Sequence, residues 1–372
     1  GGFTISNLTI QSDSGCTGLF GQLNGTVKDV TLSGCTVTDT NETYAKAKGT
    51  GILAGYNKGN IQNCTVQGSS VRMRYNALGG LIGYNEGTAA GCAVIDCEII
   101  SESTASNAYA GGFVGYNGSN GSIAQCYVEG GRVSHTGSES KGWEIGGFVG
   151  RNASAGSTIS ECYATAEVSS KSDKAGGFVG NANAGTIEDC FAAGQVSARK
   201  YVGGFGGELG YGDCKIVSCY TTGSVVSTGT SSGKYNYFGR FYGNGMFPDI
   251  TNGYYLTSAS ITGNGTEAEQ DKAQGKSPEE LKQAASLLGS AWTADEAHNN
   301  GYPYLKQVKA PANGGGDPSG PVQLATPSGL AWDKAVASWQ AVPQAAGYTV
   351  RLYRQEPGGD VLVGTYENVT EL

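Results

Sequence analysis

The sequence predicts an all-β fold: a right-handed parallel β-helix of about eight coils, a short helical C-terminal cap, then a partial β-sandwich. Three observations predict it. Glycine supplies 62 of the 372 residues, about 17% against a usual share of roughly 7%, with no G-X-Y period to suggest collagen. A glycine-centred phrase recurs eight times: GLFGQLNG at 18–25, GILAGYNKG at 51–59, GGLIGYNEG at 79–87, GGFVGYNGS at 111–119, GGFVGRNAS at 146–154, GGFVGNANA at 176–184, GGFGGELG at 203–210 and GRFYGNG at 239–245. A second phrase follows it, as NIQNCTV at 60–66, SIAQCYV at 122–128, TISECYA at 158–164, TIEDCFA at 186–192 and KIVSCYT at 215–221, with TVKDVTL at 26–32 and DITNGYY at 249–255 as end variants.

The repeat glycines fall at Gly21, Gly55, Gly83, Gly115, Gly150, Gly180, Gly207 and Gly243, so the intervals run 34, 28, 32, 35, 30, 27 and 36. The phrases are rich in Ile, Val, Phe, Tyr and Thr and are punctuated by Gly and Asn, which reads as short strands and turns. A unit this small cannot bury its own apolar face and must stack on its neighbours. With strands about 4.8 Å apart, eight coils make a rod of about 38 Å. A β-propeller blade needs about 40 to 50 residues and four strands, more than these units hold. Alternation supports the coil: in CYATAEV, Cys162, Ala164, Ala166 and Val168 point inward while Tyr163, Thr165 and Glu167 point outward, and CFAAGQV repeats the pattern. Each Ile sits three residues before its Cys, an odd step that predicts a corner or bulge between them. Small inward residues predict a narrow interior in which bulky side chains do not stack at every level.

The string GG-[FL]-[VI]-G-x-N-x-G followed by I-x-x-C-Y resembles the GLUG motif of large secreted and wall-attached bacterial proteins, including a region of the streptococcal IgA1 proteases. The resemblance covers residues 1–262. It extends to GFTISNLTI at 2–10, which looks like the lead-in coil of such domains, and to NNGYPYL at 299–305, which looks like their closing phrase. It implies a surface-exposed β-helix, a bacterial source and an extracellular location, and it implies no single activity.

Residues 263–308 read as a capping segment. SPEELKQAASLLGS at 277–290 predicts a helix with Ser277 as N-cap, Pro278 in the first turn and Glu280 completing a capping box. Its face of Leu281, Ala284, Ala285 and Leu288, with Trp292, Tyr302, Tyr304 and Leu305, is expected to cover the last coil, whose open end exposes apolar surface and strand edges. Residues 309–323 form a Gly/Pro linker. Residues 324–372 are similar to the start of a fibronectin type III domain, with Trp339 and Tyr348 as core aromatics. Such a sandwich needs about 90 to 100 residues, so the expectation is a fragment, cut inside its second domain and lacking a signal peptide for the same reason.

Within the coils, Cys64, Cys126, Cys162, Cys190, Cys219 and one of Cys92 or Cys97 occupy one repeat position that Val30 and Gly253 also fill. Interchange with Val and Gly predicts a ladder of buried free thiols acting as small hydrophobes. Cys16, Cys35, Cys214 and the remaining one of Cys92 and Cys97 are left as disulfide or surface-thiol candidates. Asn57, Asn85, Asn117 and Asn152 follow the repeat glycine by two residues; an internal amide ladder explains the recurrence by itself, with a calcium or ligand row as the alternative. Tyr127, Tyr163, Phe191, Tyr220 and Tyr254 follow the Cys position and predict an outward aromatic stripe. That stripe either buttresses the sheet under a covering loop or forms a platform for glycan stacking.

A net charge of −8 with pI near 4.9 argues against nucleic acid, which requires a concentrated basic face. No apolar run approaches 18 residues, so no membrane span is expected. With no CxxC, and His135 and His298 as the sole histidines, neither a metal site nor a cofactor is expected, and a Ser-His-Asp set or HExxH protease motif is missing. Glu161 and Asp189 are coil-equivalent acids, but no second acid recurs around them to form the carboxylate pair of a glycosidase, and no convergent polar cluster is visible. Three functions follow: a non-catalytic adhesin or rigid stalk of a bacterial surface or secreted protein; a glycan-binding module, its partner a host or dietary glycan or a surface protein; and a polysaccharide lyase or glycoside hydrolase built on a β-helix.

Overall fold

In the computed structural model the described residues are 2–42, 48–104, 108–137, 143–210, 214–229, 236–245 and 248–313, together with four backbone strands beyond residue 330. The chain divides into two units, Gly1–Gly320 and Pro321–Leu372. The first is a parallel β-solenoid whose stacked strands form sheets of 14, nine, nine and eight strands. Each strand pairs with its counterpart one coil away: Asn60–Gln62 lies between Thr26–Lys28 and Thr88–Ala90, which places Ile61 against Val27 and Ala89. One coil shows the plan, running through Ser122–Ala124, Tyr127–Glu129, Arg132–His135, Glu144–Gly146 and Val149–Asn152.

The corner before each cysteine position is present and has a simple geometry. Asp29, Asn63, Gln125, Glu161, Asp189, Ser218 and Asn252 all have φ between 48° and 56°, and Gly91 takes the same place at 64°. A single left-handed residue turns the chain and explains the odd step from Ile to Cys. Asn and Asp tolerate this conformation through short polar side chains, whereas other L-residues adopt it at about 1–2 kcal/mol. At the repeat glycine the requirement is different. A Cβ on Gly115 would sit 2.4 Å from the Leu78 amide nitrogen, and one on Gly180 would sit 2.3 Å from that of Ile145, so here the third and fourth sheets approach too closely for any side chain.

Inside the coil, Cys162, Ala164, Ala166 and Val168 are buried as the alternation requires. The interior is nevertheless wider than small residues alone imply. Phe113, Phe148, Phe178, Phe205 and Phe241 are fully buried and stack face to face with centroids 4.9 to 5.0 Å apart. Bulky rings therefore do stack at consecutive levels, because the coil rise of about 4.8 Å suits stacked rings.

The C-terminal segment corrects two expectations. The capping box at Ser277 and Glu280 forms, but the helix is split into Pro278–Lys282 and Ala285–Leu288, where Ala284 donates to the Leu281 carbonyl in a tighter, three-residue turn. Leu281, Ala284, Leu288, Trp292, Tyr302 and Leu305 then pack on the side of the solenoid, against Tyr163, Phe191, Tyr220 and Tyr254, and not across its open end. The last coil is closed by other means. Gln274–Lys276 adds a parallel strand to Asp249–Leu256, and the Gln270 amide imitates a further strand, its Oε1 accepting from the Phe241 and Tyr242 amides and its Nε2 donating to the Tyr242 carbonyl.

The second unit contains two antiparallel pairs, Ala331–Asp333 with Val336–Ser338 and Tyr348–Glu356 with Gly359–Val369. The linker from residue 314 onward and Trp339 lie outside the described residues, and Tyr348 is described by its strand alone.

Candidate functional site

The aromatic stripe projects away from the coil interior and is not open. Tyr163, Phe191 and Tyr220 are at most 1% exposed and Tyr254 is 5% exposed. The Tyr163, Phe191 and Tyr220 rings stack on one another at 5.0 Å, with Tyr127 at 5.1 Å as the half-buried end member, and Lys276 Nζ lies 5.3 Å from the Tyr254 ring centre. The C-terminal segment covers their outer edges and bonds to them: the Tyr220 hydroxyl donates to the Pro303 carbonyl (2.5 Å) and accepts from Asn299 Nδ2 (2.8 Å). A glycan platform needs free ring faces, and these faces are taken by each other. The same stripe column carries Thr31, Thr65 and Ala93 in earlier coils, so the aromatic run coincides with the strap that covers it.

Glu161 and Asp189 are both left-handed corner residues. Asp189 Oδ1 accepts from Trp292 Nε1 at 2.8 Å; burial raises its carboxyl above the ordinary range and the Trp292 bond pulls it back. It anchors the strap.

The cysteine column is joined through backbone amides. The Cys64, Cys92 and Cys126 amides donate to the Sγ of the cysteine one coil further on, at 3.4, 3.3 and 3.4 Å. Each thiol turns back on a carbonyl two residues earlier, as Cys126 on Ala124, Cys162 on Ser160, Cys190 on Glu188 and Cys219 on Val217. Cys92 is thus the ladder member, and Cys97 sits at the second corner, in the place Cys35 holds two coils earlier. All ten cysteines are free, Cys16 alone half-buried; burial raises the Cys126 and Cys190 thiols far above their usual value.

The asparagine column is an amide ladder. Asn57, Asn85 and Asn117 donate from Nδ2 to the Oδ1 of the next asparagine at 2.8, 2.9 and 2.9 Å, and Asn152 closes the row on the Ala184 carbonyl at 2.7 Å. All four are fully buried. Their oxygens and amides are consumed by one another, and among the described residues no group of acidic, His or Cys side chains could hold a metal.

A convergent polar cluster exists where none was expected. The strands flanking the repeat glycine bring residues seven apart, one before and one after the glycine phrase, onto a common seam: Tyr109 with Tyr116, Glu144 with Arg151, Lys174 with Asn181, and Tyr237 with Asn244. Tyr116, Arg151, Asn181, Glu208 and Asn244 stand directly above one another on successive coils. Lys174 Nζ lies 2.7 Å from Glu208 and 3.6 Å from Glu144, and Arg151 lies 3.6 Å from Glu144. Asn181 Nδ2 donates to both carboxylates, at 2.9 and 3.3 Å, and Asn244 donates to Glu208 at 3.1 Å. Lys174 holds its place with φ of 59°, a conformation that costs a lysine free energy and persists only where its surroundings enforce it. Burial raises the Glu144 carboxyl, opposed by Arg151 and Lys174. Burial alone would lower the Lys174 ammonium, but the two glutamates outweigh it and hold it above its usual value. At one end of the cluster the Tyr84, Tyr116 and Tyr109 rings pack together at 4.6 and 5.1 Å. The signal available in the sequence was the seven-residue pairing across each glycine phrase, carried by residues that differ from coil to coil.

Residues 106–134 and 141–169 match the GLUG motif. Each match spans one glycine phrase and the cysteine phrase after it, so these two stretches of the solenoid are similar to GLUG repeats. Among solved structures, the chain is similar to a Bacteroides ovatus protein described as a "putative immunoglobulin A1 protease", with 17% identity, a TM-score of 0.44, and coverage of 81% of this chain and 92% of that one. No curated protein matches the chain.

Proposed function

We propose that this chain is a non-catalytic module of a bacterial cell-surface or secreted protein, serving as a rigid scaffold that displays neighbouring domains or a binding surface. The observation that carries the reading is the set of like-residue ladders. Asparagine, cysteine and phenylalanine columns tie each coil to the next, so the unit is specialised for continuous stacking. The GLUG matches support an extracellular setting. The acids most suited to catalysis are otherwise engaged, Asp189 by Trp292 and Glu144 and Glu208 by Lys174, which supports the absence of an activity. Residues 324–372 are read as the start of a fibronectin type III-like domain carried by the scaffold.

Two measurements test this. An antibody against the solenoid should label intact, unpermeabilised cells of the source bacterium, and labelling that requires lysis overturns the surface reading. The purified protein should release no reducing ends from host or plant polysaccharides and should leave immunoglobulin A1 intact; turnover of either overturns the non-catalytic reading.

A further inference from the structure

We infer that the polar seam around Glu144 and Asn181 is a binding site for a neutral saccharide, recognised through adjacent hydroxyl groups. The inference rests on the surface-module reading for its extracellular ligand. It starts from groups the fold leaves incomplete. Glu144 and Asn181 are 4% and 3% exposed, yet Glu144 Oε2 and Asn181 Oδ1 have no hydrogen-bond partner, and neither has the Nε of Arg151 beside them. Buried polar atoms are almost always satisfied, and three orphans in one cluster call for an occupant. The Asn181 amide cannot be turned over to cure its own defect, because its Nδ2 already donates to both carboxylates.

The chemistry of the orphans selects the occupant. Two are acceptors and one is a donor. A cation would satisfy the two oxygens and repel Arg151; a carboxylate or phosphate would satisfy Arg151 and repel Glu144. Hydroxyl groups donate and accept in turn, so a pair of them completes all three. Charge agrees with this: the cluster holds two carboxylates, an ammonium and a guanidinium, which cancel, and a neutral ligand leaves that balance undisturbed. The cluster meets the surface at Arg151 and Lys174, whose side chains are 25% and 23% exposed.

The test is saturation-transfer NMR on the whole chain with cellotetraose, xylotetraose, laminaritetraose, chitotetraose, N-acetyllactosamine, and the charged trigalacturonate and sialyllactose, each at millimolar concentration. At least one neutral sugar should receive saturation. Arg151→Lys keeps the cation facing Glu144 but removes Nε, and should weaken binding at least about tenfold, the equivalent of about 1.4 kcal/mol; Asn181→Ala should do the same, with melting curves confirming that each variant folds. Tyr127→Ala, on the far aromatic stripe, should bind as the parent does. Absence of any neutral sugar signal, binding of the charged sugars alone, or binding untouched by both seam variants overturns the site. A protein that labels intact cells but binds no neutral sugar removes this inference and leaves the surface module standing; a sugar-binding protein confined inside the cell does the reverse.

Discussion

Replacing Asn117 with alanine should remove a large part of the solenoid's stability. Its side chain is fully buried, its Oδ1 accepts from Asn85, and its Nδ2 donates to Asn152 at 2.9 Å and to the Gly121 carbonyl at 3.1 Å. Truncation leaves three buried groups short of a partner. Asn85 Nδ2 keeps a second bond to the Gly87 carbonyl at 3.2 Å and the Gly121 carbonyl keeps the Thr158 amide at 3.0 Å, so their losses are partial, whereas Asn152 Oδ1 loses its side-chain donor outright. At about 1–3 kcal/mol for the orphaned Asn152 oxygen and about 0.5–1.5 kcal/mol for each of the other two bonds lost, the cost is roughly 2–6 kcal/mol, against a usual domain stability of about 5–15 kcal/mol. At about 2–4 °C per kcal/mol the melting temperature should fall by roughly 4 to 24 °C. Urea unfolding followed by both circular dichroism and tryptophan fluorescence measures this, since coincident transitions show whether the coils unfold together. Asn117→Asp separates polarity from packing. It preserves shape but places a buried anion against two oxygens that need a donor, so at neutral pH it should be less stable than Asn117→Ala. Burial raises the new carboxyl, and its stability should return as pH falls through that raised value and the acid regains a proton to donate. A loss below about 1 kcal/mol in the alanine variant, with aspartate indistinguishable from it, refutes the ladder as a source of stability.

Trp292→Ala should destabilise the strap by about 3–5 kcal/mol, because the ring is 3% exposed, packs 5.5 Å from Tyr220 and holds Asp189; limited proteolysis should move to residues 277–308, and an unchanged digest would contradict the packing. Burial holds the Glu144 carboxyl above its ordinary range, so its contribution is greatest below the unfolded carboxyl value of about 4.3 and is lost as pH rises through the folded value. Melting profiles of the parent and of Glu144→Gln should therefore diverge on going from acid to neutral pH, with the parent falling relative to the variant, and parallel profiles would contradict this. Intact-mass labelling after denaturation without reductant should add ten thiol adducts, as all ten cysteines are free, whereas brief native labelling should reach Cys16 at most; fewer than ten adducts would reveal a disulfide.

The features readable in the sequence share a physical cause. A parallel solenoid places equivalent residues about 4.8 Å apart, a distance at which an amide bonds to its own kind, a thiol accepts from the next amide and a ring stacks on a ring. Recurrence of one residue type is then the direct imprint of a column, and Asn57, Asn85, Asn117 and Asn152 or the cysteines could be assigned without coordinates. The small residues of one sheet do not report the interior width, because the stacked rings enter from the GGFVG phrases, at Phe113, Phe148 and Phe178. The strap was misplaced for a related reason. Its apolar face is complementary to the aromatic column that begins at Tyr127 and replaces the Thr and Ala of earlier coils, and that change along the column, not the exposed coil end, sets where the strap lies. The seam escaped because it obeys the opposite rule. Beyond the tyrosines Tyr56, Tyr84 and Tyr116, its columns read Arg151, Asn181, Glu208, Asn244 and Tyr109, Glu144, Lys174, and no charged residue recurs at the next level. Like charges stacked 4.8 Å apart repel, so an ionic column must alternate in type and cannot leave a periodic signature. In a repeat protein, consensus positions therefore report stacking, and departures from consensus at a fixed offset report where charge is concentrated.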